Sequence, residues 1–431
     1  MKILSIPSVK LDALSYSYPE RYPFLLESVN NNTDNRYSIL FSHPGETITL
    51  ENIDDFDFLS VLESKVEISS NDNSNLPFTG GWFVYLSYEL IGQIEPTLNT
   101  DIFNSDNVVA RAVEIPTAII VDHTNNETFL VDQYGSKERI SQVLDDITKS
   151  TAVSSVSLEG GLISEDENKF IAGVNTSKDY IKAGDVFQVN LSREWKYNLN
   201  NYICPAQIYK TLKVTNPAPF AALVQFDEFS IISSSPERLF SVADGVIQTR
   251  PIAGTHPRGK GDEDETLKIS LINHPKEQAE HVMLLDLERN DMGKVCKYGS
   301  VNVNQTMVLE SYPFVHHIVS NIKGILSGDV TIKHLVRALF PGGTITGCPK
   351  VRCMQIISEL EGMPRGAYTG SVGYISHEGK MDFNILIRTI VQEGRELTFR
   401  AGAGIVYDSI PDTELEETKH KAEGIIRAFE M

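Results

Sequence analysis

The chain has 431 residues, 41% of them hydrophobic and 22% charged, so it can bury a large core as one large domain or two fused ones. Its formal net charge of -20 repels a phosphate backbone and an anionic bilayer, which argues against nucleic-acid and membrane partners, and no apolar stretch approaches the ~20 residues of a membrane span. Cys204, Cys296, Cys348 and Cys353 show neither metal-ligand spacing nor a disulfide framework, and no basic region with a long apolar run opens the chain, so a reduced, cytoplasmic protein is expected.

The first 150 residues carry alternating strand-like runs at Arg36–Phe41, Val84–Tyr88 and Ala118–Val121, separated by turn-rich stretches such as Asn71–Asn75. That is the texture of an antiparallel sheet. A polar stretch from Ser150 to Asn168 divides this N-terminal region, 1–150, from a second region, 165–431. Beyond it, Glu167–Ala183 reads as helix, and Val186–Arg193 and Phe229–Ser234 read as strands. A further helix places Pro349 at its first position, sets Val351, Met354, Ile357 and Leu360 on one face, and stops at Gly362. The last helix follows Pro411, opens with a possible capping box in Thr413-Glu-Leu-Glu416, and runs to the end. The order of elements predicts an α+β protein on large, mostly antiparallel sheets.

Helical spacing gathers Glu414, Glu417 and Lys421 on one face of the last helix, and Glu277, Glu280 and His281 on another ahead of the apolar run Val282–Leu287. A solvated charged face is the ordinary explanation, although carboxylates from two helices could hold Mg²⁺ through oxygen ligands. Three glycine-dense loops, Pro251–Thr255, Pro341–Gly347 and Ala401–Gly404, suit either tight turns or backbone N–H groups that close on an anion. None is a P-loop, and no strand–GxGxxG–helix unit is present. Arg388, inside the apolar run Ile385–Thr389, needs a carboxylate, from the protein or from a ligand. His317 reads equally as a core histidine, and Glu237 as part of a turn at a strand end.

Six segments occur in a specific order: Gly184–Ser192, Ser235–Phe240, Arg250–Thr255, Ala279–His281 with Asp286–Asp291, Gly347–Arg352 and Ile387–Thr389. Together they resemble the chorismate-utilising family, which includes anthranilate synthase component I, aminodeoxychorismate synthase component I, isochorismate synthases and salicylate synthases. The likeness runs from about residue 165 to the C-terminus, and more loosely over Pro23–Glu89. It implies a large α/β sandwich of two mostly antiparallel sheets flanked by helices, with both regions in one compact unit. Chorismate would bind with Mg²⁺, for which Glu280 and Glu417 resemble the ligands and Glu237 belongs to the same acidic site. By the same likeness, Arg388, Tyr374 and the backbone of Gly402, Ala403 and Gly404 hold the substrate carboxylates, with Thr346, Gly347 and Lys350 also on the substrate. Lys421 adds positive charge near the metal, and His317 lies beside the C4 hydroxyl that leaves; either Glu237 or His317 could protonate it.

Water-using members of this family resemble a pattern with a general-base lysine where this chain has Gln188, and an amide cannot take that proton. Amination remains, at C4 to give 4-amino-4-deoxychorismate or at C2 with pyruvate loss to give anthranilate. Ala253 and Thr255 in Pro251–Thr255 resemble catalytic positions, and Ala253 bears on the choice: some aminodeoxychorismate synthases carry a nucleophilic lysine where it stands, so Ala253 favours anthranilate. Pro341–Gly347 and Ala218–Ala222 resemble the C4-aminating pattern, and the expectation leans that way. Leu26, Glu27 and Ser28, within Pro23–Ser28, resemble a segment that binds tryptophan. No cysteine sits in a Gly-x-Cys-x-Gly elbow, so a separate glutamine amidotransferase subunit is the implied ammonia source. The rival class is a protein that binds chorismate or tryptophan without turnover.

Overall fold

Apolar strands from early and late in the chain interleave in two antiparallel sheets. The computed structural model describes residues 1–29, 36–68, 74–98, 108–259, 261–312 and 315–431; the 71–73 part of the Asn-rich stretch and the side chains of Thr255, Pro257 and Lys276 lie outside it. Among the described residues, the first sheet has twelve strands. Its spatial order is Lys2–Ile6, Glu127–Asp132, Thr117–Asp122, Tyr37–Ser42, Phe24–Glu27, Phe220–Gln225, Ser230–Ser235, Thr389–Glu393, Glu396–Ile405, Gln188–Leu199 and Gly347–Cys348, with Gly160–Ser164 also on Gln188–Leu199. The second has ten: Ile252–Pro257, Val315–Ile325, Val246–Thr249, Arg238–Ala243, Met381–Asn384, Ser371–Ser376, Gly81–Leu86, Ala110–Ile115 and Thr47–Leu50, with Asn302–Ser311 also on Val315–Ile325.

Strands from the first 150 residues pair directly with later ones. Phe24–Glu27 lies against Phe220–Gln225, and Gly81–Leu86 against Ser371–Ser376. The polar stretch expected as a boundary carries the strand Gly160–Ser164, hydrogen-bonded along Gln188–Leu199. The sheets pack face to face through aromatic rings: Phe24 of the first stacks on Phe83 of the second at 4.1 Å between centroids, with Phe41, Phe78 and Tyr374 around them. Each ring fully buried there contributes roughly 1.5–3 kcal/mol.

Glu167–Ala183 is helical as its spacing predicts, and Gly184 ends it in the left-handed region at φ 86°. The helix Lys350–Glu361 buries Met354 and Ile357 and stops at Gly362, also left-handed at φ 63°, but Pro349 is its N-cap rather than its first helical residue. The helix Pro411–Phe429 begins with Pro411 itself, and its N-cap Ile410 makes no side-chain bond, so the Thr413–Glu416 capping box does not form. Leu415, Ala422, Ile425 and Phe429 bury one stripe of this helix. That packing turns the acidic stripe toward the space between elements instead of bulk solvent.

Candidate active site

The stripe lines a cavity of about 730 Å³. Glu417 and Lys421 reach it from Pro411–Phe429, and Glu277 and Glu280 from the first turns of the helix Pro275–Gly293. Ala253 and His317 come from paired strands of the second sheet, Gly404 from the first sheet, and Arg388 from between strands. Arg388 is not inside a strand as its apolar run implied: it sits at φ 51° on a bend between Met381–Asn384 and Thr389–Glu393, and that reversal aims it at the cavity. His281 also departs from its expected face, for its Nε2 lies 2.5 Å from Ser320 Oγ and the ring is buried against the sheet.

Gln188 is buried, and its amide donates to Glu280 Oε1 at 3.0 Å. A Cβ at Gly404 would fall on that amide and 3.3 Å from Glu280 Oε1, so glycine here leaves room for the Gln188–Glu280 contact. Lys421 donates to the Gly402 carbonyl at 2.9 Å and pairs with Glu417 at 2.7 Å. Its side chain is encircled by protein yet 42% exposed, because it faces the cavity. Burial disfavours its charge, and Glu417 more than offsets this, which holds the ammonium above its ordinary range. Ala403, between the two glycines, turns its methyl into the apolar cluster of Phe170 and Leu415.

Two groups beside the cavity have opposite proton affinities. Burial, reinforced by the charge of Arg388, pushes His317 down to about 3, so it is neutral near pH 7. Burial pushes Glu237 up to about 7, against the Thr344 hydroxyl and the Ile252 N–H, which favour its carboxylate. Pro236 lines the cavity and Glu237 stands behind it, within reach of the charges of Lys421 and Arg388. Ala253 offers a methyl, on a strand whose register shifts at Gly254 with φ 68°; the Thr255 backbone pairs with His317, while the Thr255 side chain lies outside the described residues.

The remaining expected residues stand elsewhere. Thr346 is buried and donates to the Gly342 carbonyl at 2.9 Å, and Gly347, at φ 130°, packs on the Gln188 carbonyl. Lys350 pairs with Asp291 at 2.5 Å. None of these three lines the cavity. Tyr374 lines a second cavity of about 220 Å³, together with Leu26, Glu27 and Ser28. Glu288, which the sequence reading did not single out, is buried beside the Gly343–Ile345 turn. Its spacing from Glu280, two helical turns along one face, is the signal that could have found it.

A deep cleft between two antiparallel sheets, with opposed carboxylates, an arginine and a lysine, suits a small dianionic substrate. The chain belongs to the chorismate binding enzyme family, whose profile matches residues 22–427. It is a chorismate-utilising enzyme of the anthranilate synthase and aminodeoxychorismate synthase group. The "Anthranilate synthase component I-like protein" of Synechocystis is 40% identical over 402 residues, 92% of this chain and 83% of that one. The aminodeoxychorismate synthase component 1 of Bacillus subtilis is 41% identical over 380 residues, 84% of this chain and 80% of that one. The crystal structure of anthranilate synthase component I from Streptococcus pneumoniae superposes with a TM-score of 0.80 at 32% identity, covering 93% of this chain and 94% of that one. Among the described residues, no helix is long and apolar enough to cross a membrane.

Proposed function

We propose that this protein aminates chorismate at C4, giving 4-amino-4-deoxychorismate, the precursor of p-aminobenzoate. The observation that carries amination is the Gln188 amide on Glu280: an amide can take no proton, and the position resembles that of the general-base lysine in water-using members of the family. Overall, the C4–O bond breaks, a C4–N bond forms to ammonia, and the hydroxyl leaves as water. Glu237, raised to about 7 and so about half protonated at neutral pH, supplies the proton for that departure, whereas neutral His317 orients the hydroxyl by hydrogen bonding. Arg388 and Lys421 hold substrate carboxylates.

Glu280 and Glu417 bring oxygen ligands to the cavity from two helices, which suits a hard cation. Among the described residues no three His, Cys, Asp or Glu side chains converge on one point, so the protein itself would hold the ion through these two carboxylates. Bound there, Mg²⁺ neutralises the substrate's charge and polarises its ring. Ammonia comes from a separate glutamine amidotransferase subunit, since none of the four cysteines stands in a glutaminase elbow.

Support for C4 comes from Pro341–Gly347, which resembles the C4-aminating pattern and forms the turn beside Glu237. Ala253 supports the second reading, amination at C2 to anthranilate and pyruvate for tryptophan synthesis, because it puts a methyl in the cavity wall where some C4-aminating relatives carry a nucleophilic lysine. One incubation decides: purified protein with chorismate, Mg²⁺ and ammonium salt is expected to yield p-aminobenzoate only after a lyase is added. Direct anthranilate fluorescence would establish the C2 reading, and no chorismate consumption would leave a binding protein.

The second cavity suits tryptophan, with Leu26, Ile39 and Val372 for an indole and Glu27, Arg238 and Asp382 for its charged end. A rise in melting temperature with added tryptophan, and none with glycine, is the expected sign.

A further inference from the structure

Arg388 reaches the cavity from a backbone conformation, φ 51°, in which an arginine persists only where its surroundings over-determine it. Among the described residues its guanidinium makes no hydrogen bond or ion pair, so its aim comes from the backbone of the bend. That backbone is held at each carbonyl. Ile385 O accepts from the Ser235 hydroxyl at 2.5 Å, Leu386 O from the Thr369 N–H at 2.8 Å, and Arg388 O from the Ser234 N–H at 3.2 Å. Ile387 O accepts from the Thr389 hydroxyl at 3.0 Å. This last bond spans Arg388 itself, because it joins the carbonyl before it to the side chain after it. The single hydroxyl proton of Thr389 goes to that carbonyl, so Ser233 Oγ, 2.8 Å away, is the donor to Thr389 Oγ1. Ser233 and Thr389 face each other where Ser230–Ser235 pairs with Thr389–Glu393, which anchors both hydroxyls in the first sheet. Both side chains are buried and neither lines the cavity, so neither meets substrate.

We propose that Ser233 and Thr389 are positioning residues for Arg388, a role that rests on the reading of Arg388 as the holder of a substrate carboxylate. The relay from the Ser233 hydroxyl to the Thr389 hydroxyl to the Ile387 carbonyl holds the left-handed turn that presents the guanidinium to the cavity before substrate arrives. A planar guanidinium captures a carboxylate through two parallel bonds, so the direction of its stem decides whether both form. An arginine that had to find this direction on binding would lose affinity to the ordering of its own backbone and side chain. Two hydroxyls that only satisfied each other inside a sheet would act on stability, with no selective effect on chorismate binding.

The test measures kcat and KM for chorismate consumption by the full chain with Mg²⁺ and saturating ammonium salt. Thr389→Val removes the hydroxyl and keeps a β-branched side chain of similar size. Its KM is expected to rise about 10-fold with kcat within about threefold of wild type, and Thr389→Ser, which restores the hydroxyl, should bring KM back to within about twofold. If Thr389 acts through Arg388, the double variant Arg388→Lys/Thr389→Val should show a KM no more than about twofold above that of Arg388→Lys alone. An unmoved KM in Thr389→Val, Thr389→Ser as impaired as Thr389→Val, or single effects that multiply in the double variant overturns the inference. If Thr389→Val fails to fold, Ser233→Ala decides in its place: KM is expected to rise about threefold in the wild type and not in Arg388→Lys, and an unmoved KM overturns the inference. Arg388→Lys separates the two readings. An unmoved KM there refutes Arg388 as the carboxylate holder and takes the relay with it, whereas a raised one beside an unmoved Thr389→Val refutes only the relay.

Discussion

The Gln188 amide donates to Glu280 Oε1 at 3.0 Å, tying the long strand Gln188–Leu199 to the helix Pro275–Gly293. Gln188→Lys would place an amine there that can serve as a base toward water. The variant is expected to consume chorismate without ammonium salt roughly 10-fold faster than wild type, followed by chromatography. Consumption that still requires ammonium would refute the base argument.

Glu280→Gln keeps the shape of the side chain and removes its charge. Mg²⁺-dependent turnover is expected to fall about 100-fold or more, with the melting temperature little changed. Unchanged rates across a Mg²⁺ titration would take Glu280 out of the metal site.

Gly404→Ala puts a methyl on the Gln188 amide and near Glu280. The far end of Gln188 can swing aside, so melting should shift by less than about 4 °C, while turnover drops roughly 10-fold as the Gln188–Glu280 contact is lost. Equal loss of both would mean that the glycine serves stability alone.

Arg388→Lys retains charge but loses the planar fork and the reach into the cavity. KM for chorismate is expected to rise about 10-fold or more, with kcat affected less. A kcat loss at constant KM would move Arg388 from binding to the chemical step.

His317 is pushed down to about 3 in the folded protein, against an ordinary value near 6.5. The unfolded chain therefore takes up the proton first as pH falls below about 6.5, and stability from this group is lost progressively down to about 3. From pH 6.5 to 4.5 the cost is about 2 kcal/mol, which His317→Gln should remove. Urea unfolding of both proteins at the two pH values measures it, and parallel pH slopes would contradict it.

Local order was legible wherever a short-range signal suffices. The helix Glu167–Ala183 has the bounds its spacing predicts, because the 3.6-residue apolar period lies within it and the left-handed Gly184 follows it directly. Arg388 reads as a strand residue from local signals alone, because Ile385–Thr389 is an apolar run and no local residue announces the positive φ that tertiary packing imposes. The family likeness puts Tyr374 on the substrate, yet pairing of Ser371–Ser376 with Gly81–Leu86 carries its ring into the aromatic layer and onto the second cavity.

By itself, the sequence determined the sheet-rich α+β class, the ordered motifs of a chorismate enzyme, and an amide at position 188, since each resides in residue identity and near-neighbour spacing. Tertiary structure alone decided that burial would raise the Glu237 carboxyl to about 7 and lower His317 to about 3, and that Arg388 would turn out of its apolar run toward the cavity. Proton affinity follows from burial and from charges brought close by strands and helices far apart in the chain, and neither is encoded in any local window.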